Sequence, residues 1–155
     1  MGKLYIHAPN VHGGGGLTLL NVLIEFLPKR TCLIIDERLP VTDTSLSDFE
    51  VYRIKPTIVH RFSAEKLLKR LVLNDDNVLC FGNLPPLFSL QGKVTLFIQN
   101  RYLIEPELIG SISFKLRLRL TVERFWLRHF EHNVNQVLVQ TLSMKVLSCD
   151  YVSPP

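Results

Sequence analysis

Apolar and polar positions fall into short runs whose period switches along the chain. "KLYIHA", residues 3–8, is a buried-strand run. In the stretch from Leu17 to Leu27, Thr18, Asn21 and Glu25 fall at i, i+3 and i+7. They make one narrow polar stripe on an otherwise apolar cylinder, which predicts a helix ended by Pro28. "CLIID" predicts a second strand with Asp36 at its exit, and "VYRI", preceded by Phe49, a weaker third. Ser63 is placed to cap a second helix running to about Leu73, although Lys66 stands where a capping box wants Glu or Gln. "NVLCF", closed by "GNLPP", and "KVTLFIQN" read as two further strands. "VLVQ" near residue 138 is the last, with a short helix expected from Ser143 to Cys149.

One segment carries two periods. Residues 114–122 of "SFKLRLRLTVERFWLRHFEHN" alternate apolar and polar, as a strand does. Arg117, Thr121, Arg124, Arg128 and Glu131 recur at helical spacing and continue past the alternation. The longer pattern predicts a helix over about 112–132.

Buried apolar strands alternating with helices predict an α/β fold: a Rossmann-like parallel sheet with helices on both faces. Ligands of such sheets bind beyond the carboxyl ends of the strands. Those ends carry residues 7–16, Asp36, Gly82 with Asn83, Gln99 with Asn100, and Gln140 with Thr141.

Composition narrows this only modestly. The 155 residues fit one domain, and the net charge of +4 draws anionic partners weakly. The start has no secretory pattern, and the apolar run "LTLLNVLIEFL" is far shorter than a membrane span. Three cysteines, Cys32, Cys80 and Cys149, form no CxxC pair and suit a reducing cytoplasm, with Cys32 and Cys80 as small core residues. The five histidines show no ligand spacing, so no metal site is expected. Basic residues form no dense tract, which argues against nucleic acid. Lys115, Arg117, Arg119, Arg124 and Arg128, near Phe114, Phe125 and Trp126, suit either a solvated helix face or peripheral contact with anionic lipid at the inner membrane surface. Asp36 and Glu37 read as a solvated strand exit or as a ribose-binding pair.

The stretch "HAPNVHGGGGLTLLNVLI" raises a sharper question, because four consecutive glycines are costly to order. A glycine loop between a first strand and a first helix can lay backbone N–H groups against an anion. Residues 13–16 therefore read as an approach site for a phosphate or sugar phosphate, or else as a plain flexible connection. The P-loop pattern fails for want of a Lys. The dinucleotide fingerprint fails because Thr18 or Leu19 stands where its third Gly belongs.

"HAPNVHGGGGLTLLNVLIEFL" resembles the opening of the GT-B glycosyltransferases, of the retaining group that includes many bacterial polysaccharide enzymes. "LCFGNLPPLFSLQGKVTLFIQNRYLI" resembles that family's strand pair with a Pro-rich acceptor loop between. The basic helix 112–132 and "NQVLVQTLSMKVL" follow in the family's order. The resemblance implies glycosyl transfer from a nucleotide-sugar donor to a glycan or lipid-linked acceptor, with no other cofactor. Residues 1–155 would form the N-terminal, acceptor-side domain, and a C-terminal donor-binding domain is not in this chain. Carried over by position, Gly13, Gly14, Gly15 and Gly16 face the cleft, flanked by Asn10 and His12. Gly82 and Asn83 line the acceptor side. Gln99, with Asn100 and Arg101 after it, stands where many relatives have a His that meets the donor sugar. Gln99 can donate a hydrogen bond but cannot act as a general base. Gln140 and Thr141 complete the substrate-binding set, and no catalytic residue is assigned. Two other classes stay open: a non-catalytic binding module or subunit of a split glycosyltransferase, and a nucleotide-cofactor oxidoreductase domain.

Overall fold

The structure, a computed structural model, describes residues 2–41, 46–104, 113–141, 143 and 144. Six strands form one sheet: β1 (Leu4–Ala8), β2 (Cys32–Asp36), β3 (Glu50–Ile54), β4 (Asn77–Cys80), β5 (Lys93–Ile98) and β6 (Gln136–Val139). Among the described residues, α1 (Gly14–Phe26), α2 (Ile58–Leu71) and α3 (Phe114–Phe130) join them. The order across the sheet is β3-β2-β1-β4-β5-β6, and every pair is parallel.

Alternation along the strands builds a core on each face. Ile6, Leu33 and Ile35 pack with Leu20 and Ile24 of α1. On the other face Ile34, Cys80 and Leu96 pack with Leu68 of α2 and with Leu120 and Leu127 of α3. A strand covered on both faces needs no polar alternation, so β2 is buried at every position. Each fully buried Leu or Ile contributes about 1.5–3 kcal/mol relative to an exposed one. This is the Rossmann-like arrangement that the apolar runs predict, with helices on both faces.

The strand order reverses between β1 and β4. The chain leaves β1 toward β2 on one side and leaves β4 toward β5 on the other. The connections diverge there and open a crevice beyond the carboxyl ends of the two strands. Residues 9–16 and 81–86 border it.

Several boundaries differ from the sequence reading. Helix α1 starts at Gly14, three residues before the expected Leu17, so Gly14, Gly15 and Gly16 are its first turn rather than a loop. First-turn N–H groups have no intrahelical partner in any case, so glycine costs less there than in a helix interior. Helix α2 starts at Ile58 and is capped by Thr57, whose Oγ1 accepts from the His60 N–H at 3.3 Å. Ser63 is therefore not the cap; it sits inside the helix and donates to the Val59 carbonyl at 2.9 Å. Phe81 lies just past β4, and Gln99 and Asn100 just past β5. Helix α3 ends at Phe130, and residues 131–133 tighten into a 3-10 turn. Ile112, expected at its start, lies outside the described residues, as does the expected helix to Cys149 beyond Met144. Cys32 and Cys80 are buried core thiols, and burial raises the pKa of both. No helix among the described residues is long and apolar enough to cross a membrane.

Candidate functional site

A polar groove of about 300 Å³ opens at the strand reversal. Gly13, Gly15 and Gly16 from the start of α1 line it. Asn83, Gln99 and Asn100 come to it from the exits of β4 and β5, and Gln140 from the exit of β6. Asn10 and Gly82 line it as well, and Arg119 and Glu123 reach it from α3. Residues scattered over the sequence thus meet because every parallel strand ends on the same edge of the sheet.

The four glycines have different roles. Gly14 has φ +66°, in the left-handed region where a side chain is strained. A Cβ on Gly16 would lie 3.2 Å from Gln99 Oε1, so Gly16 lets α1 approach the β5 exit. A Cβ on Gly13 or Gly15 would meet nothing within 4 Å. Backbone conformation explains Gly14 and packing explains Gly16, whereas Gly13 and Gly15 leave bare backbone at the groove. Gly13 is the N-cap of α1 and provides no side-chain cap, and no acidic residue stands in the first turn. No side chain of the helix's own first turn therefore offsets its positive end.

The strand-exit amides shape the loops they stand on. Asn83 is held at φ +65°, and its Oδ1 accepts from the N–H groups of Gln99 at 2.6 Å and Asn100 at 2.9 Å. Gln99 Nε2 donates to the Phe81 carbonyl at 3.0 Å. Asn10 Nδ2 donates to the Gly82 carbonyl at 3.0 Å. Asn100 Oδ1 accepts from the Tyr102 N–H at 3.1 Å. These bonds fix the edge of the groove, and each amide keeps further hydrogen-bonding capacity.

At the β2 exit, Asp36 is fully buried rather than solvated, which corrects one sequence reading. Arg38 wraps it, donating from its backbone N at 3.0 Å, from Nε at 2.9 Å and from Nη2 at 2.7 Å. Burial pushes the Asp36 carboxyl up, but the hydrogen bonds and charge of Arg38 prevail and its pKa is lowered. Fully buried beneath Arg38, Asp36 offers no surface to a ribose. His12 Nδ1 stands 3.0 Å from Arg38 Nη2 and 3.8 Å from Asp36 Oδ2.

A second concavity, about 470 Å³, adjoins the groove across Asn10 and Gly82, which line both. Its walls are mostly apolar: Ile58 and Phe62 of α2, Leu84 and Leu87, and Trp126 of α3. Trp126 Nε1 donates to the Pro85 carbonyl at 3.0 Å. His7 and Glu65 also line the cavity, both buried. His7 Nε2 lies 3.4 Å from Glu65 Oε1 and has no hydrogen-bond partner. Glu65 Oε2 accepts from the Leu87 N–H at 2.9 Å. Burial lowers the pKa of His7, against the opposing pull of Glu65.

The structure brings nine of the residues singled out in the sequence into one groove: Asn10, Gly13, Gly15, Gly16, Gly82, Asn83, Gln99, Asn100 and Gln140. Four others do not line it. Gly14 shapes the turn, and His12 sits with Arg38. Arg101 belongs to a 3-10 turn, and Thr141 Oγ1 bonds Ser143 and the Met144 N–H. The sequence reading gave Arg119 to a solvated or lipid-facing helix side and passed over Glu123; the two form an ion pair at 2.7 Å that reaches the groove from α3. It also missed the apolar cavity. One signal was available there, since Glu65 lies on the stripe of α2 that buries Ala64, Leu68 and Val72. Among the described residues, no cluster of three His, Cys, Asp or Glu side chains is arranged to hold a metal. Comparison with protein-family models, with curated proteins and with solved structures finds no match to this chain.

Proposed function

We propose that this domain is the acceptor-side half of a GT-B glycosyltransferase, passing a sugar from a nucleotide-sugar donor to an acceptor hydroxyl. One observation carries the reading: the uncapped positive end of α1, with Gly13 and Gly15 bare, faces a polar groove at the strand reversal of a Rossmann-like sheet. The helix N-terminus offers N–H donors to a donor phosphate. Gln99, Asn100 and Gln140 offer amides to sugar hydroxyls. In the transfer, the acceptor oxygen bonds the anomeric carbon as that carbon's bond to the diphosphate oxygen breaks. The hydroxyl proton passes to the departing diphosphate oxygen, and a second domain holds the nucleotide.

The same reading includes contact between α3 and anionic lipid. Phe114, Leu118, Val122 and Phe125 are exposed along one side of α3, among Lys115, Arg117 and Arg128.

The test is transfer from a panel of labelled nucleotide sugars by the complete gene product, as wild type and as Gly15→Val. The valine would project into the groove at a position with open space and no strained φ. Transfer by the wild type and its loss in a normally folded Gly15→Val variant is the expected result. Full transfer by Gly15→Val would overturn this role for the groove.

A further inference from the structure

The apolar cavity poses a recognition problem that the glycine groove does not. His7 is 5% exposed, and its Nε2 has no hydrogen-bond partner, with Glu65 Oε1 3.4 Å away. Such a group costs roughly 1–3 kcal/mol to bury unpaired. Arg61 Nε, at the same cavity, is also buried without a partner. The remaining surface is hydrocarbon and aromatic, and at about 470 Å³ it matches sites for drug-sized molecules. Trp126 adds a ring face but no donor, because its N–H is taken by Pro85.

We propose that this cavity binds a neutral apolar alcohol, with its hydroxyl on His7 Nε2 and Glu65 and its hydrocarbon body against Phe62, Leu87 and Trp126. The inference rests on the reading of the domain as acceptor-binding, and it names the acceptor class. A bare sugar is disfavoured by counting: each of its several hydroxyls would need a partner, and the cavity offers few unspent polar atoms. A charged ligand is disfavoured by sign, since Arg61 and Glu65 contribute one basic and one acidic group. The wall shared through Asn10 and Gly82 places the hydroxyl end of such a ligand beside the glycine groove, where a donor sugar would lie.

Trp126 is the chain's one tryptophan, so its emission reports this cavity alone. The experiment titrates the full chain with geraniol, geranic acid and methyl glucoside, following Trp126 emission and the heat of binding. Saturable geraniol binding is expected, with the other two at least about tenfold weaker. Ile58 lines the cavity but is 88% exposed, so Ile58→Glu leaves the fold intact and places a charge at the rim. It should weaken geraniol at least about tenfold. Val59, its exposed neighbour, does not line the cavity, and Val59→Glu should leave affinity within about twofold. Non-saturable binding, equal or tighter binding of the acid or the sugar, or equal loss in both variants would overturn the proposal. Binding needs no donor, so the two readings fail separately. Geraniol binding without any glycosyl transfer removes the transferase, whereas transfer to a sugar without geraniol binding removes this acceptor class.

Discussion

A Cβ on Gly82 would stand 1.9 Å from Asn10 Oδ1, inside the side chain that donates to the Gly82 carbonyl. The two residues, far apart in sequence, form the wall between the groove and the apolar cavity. Gly82→Ala must expel the Asn10 side chain and break its bond, at a cost of about 1–3 kcal/mol. Asn10→Ala removes one hydrogen bond, at about 0.5–1.5 kcal/mol. The double variant should be less destabilised than the sum of the two, because the alanine at 82 then meets no amide. Urea unfolding of the four proteins measures the coupling. Strict additivity would show that the Asn10 side chain does not occupy that space.

The glycines make a graded prediction at neighbouring positions. Gly14→Ala forces a side chain to φ +66° and should cost about 1–2 kcal/mol. Gly15→Ala adds a methyl in open space within a helical turn, and should be neutral or stabilising by up to about 1 kcal/mol. Thermal unfolding of both variants checks the order. The reverse ranking would mean that Gly15, not Gly14, holds the special backbone.

These positions show why part of the chain was legible in its sequence. The sheet was readable because runs such as "CLIID" are strand-length and wholly apolar, which suits strands covered on both faces. The groove followed from the same logic, since parallel strands all end on one edge. The start of α1 was hidden because glycine argues for a loop by propensity, while helix geometry tolerates it in the first turn. The start of α2 was hidden because Ile58 and Val59 are apolar yet exposed, so the polar Ser63 was the more conspicuous cap. The cavity was not legible because His7 and Glu65 meet only when α2 packs on the sheet beside β1, a contact that no local spacing encodes.

His7 makes stability depend on pH. Burial lowers its folded pKa below the ordinary value of about 6.5. As pH falls through that value, the unfolded chain takes up a proton that the folded chain refuses. The unfolded state then binds more protons, so stability falls with falling pH. Above about 6.5 both states are neutral at this site and the contribution is constant. The lowered pKa of Asp36 acts in a separate window, below the ordinary carboxylate range. The melting temperature should therefore be flat just above neutrality and decline from about pH 6.5 downward. The decline between about pH 6.5 and pH 5 should be smaller in His7→Gln, which has no proton to gain there. An unchanged slope in that variant would assign the effect to another group.

Helix α3 makes the last prediction, because two of its features point to one partner. Phe114 is 79% exposed and Phe125 68%, on the side that also carries Leu118 and Val122. Apolar side chains arranged this way, among several basic ones, match the physics of a helix lying in a bilayer interface. Lys115 and Arg117 add attraction to anionic headgroups, at about 1 kcal/mol for each basic residue near the surface. Pelleting with vesicles should therefore be strong for phosphatidylglycerol-rich membranes and weak for phosphatidylcholine. It should fall as salt rises, because the attraction is screened beyond about 10 Å at 0.1 M. Phe114→Asp with Phe125→Asp should reduce binding at least about tenfold without unfolding the domain, since neither ring lies in the core. Phe26→Asp, equally exposed but on α1, should leave binding unchanged. Equal loss from the α1 and α3 variants would show general surface hydrophobicity at work, and the lipid contact of α3 would fall.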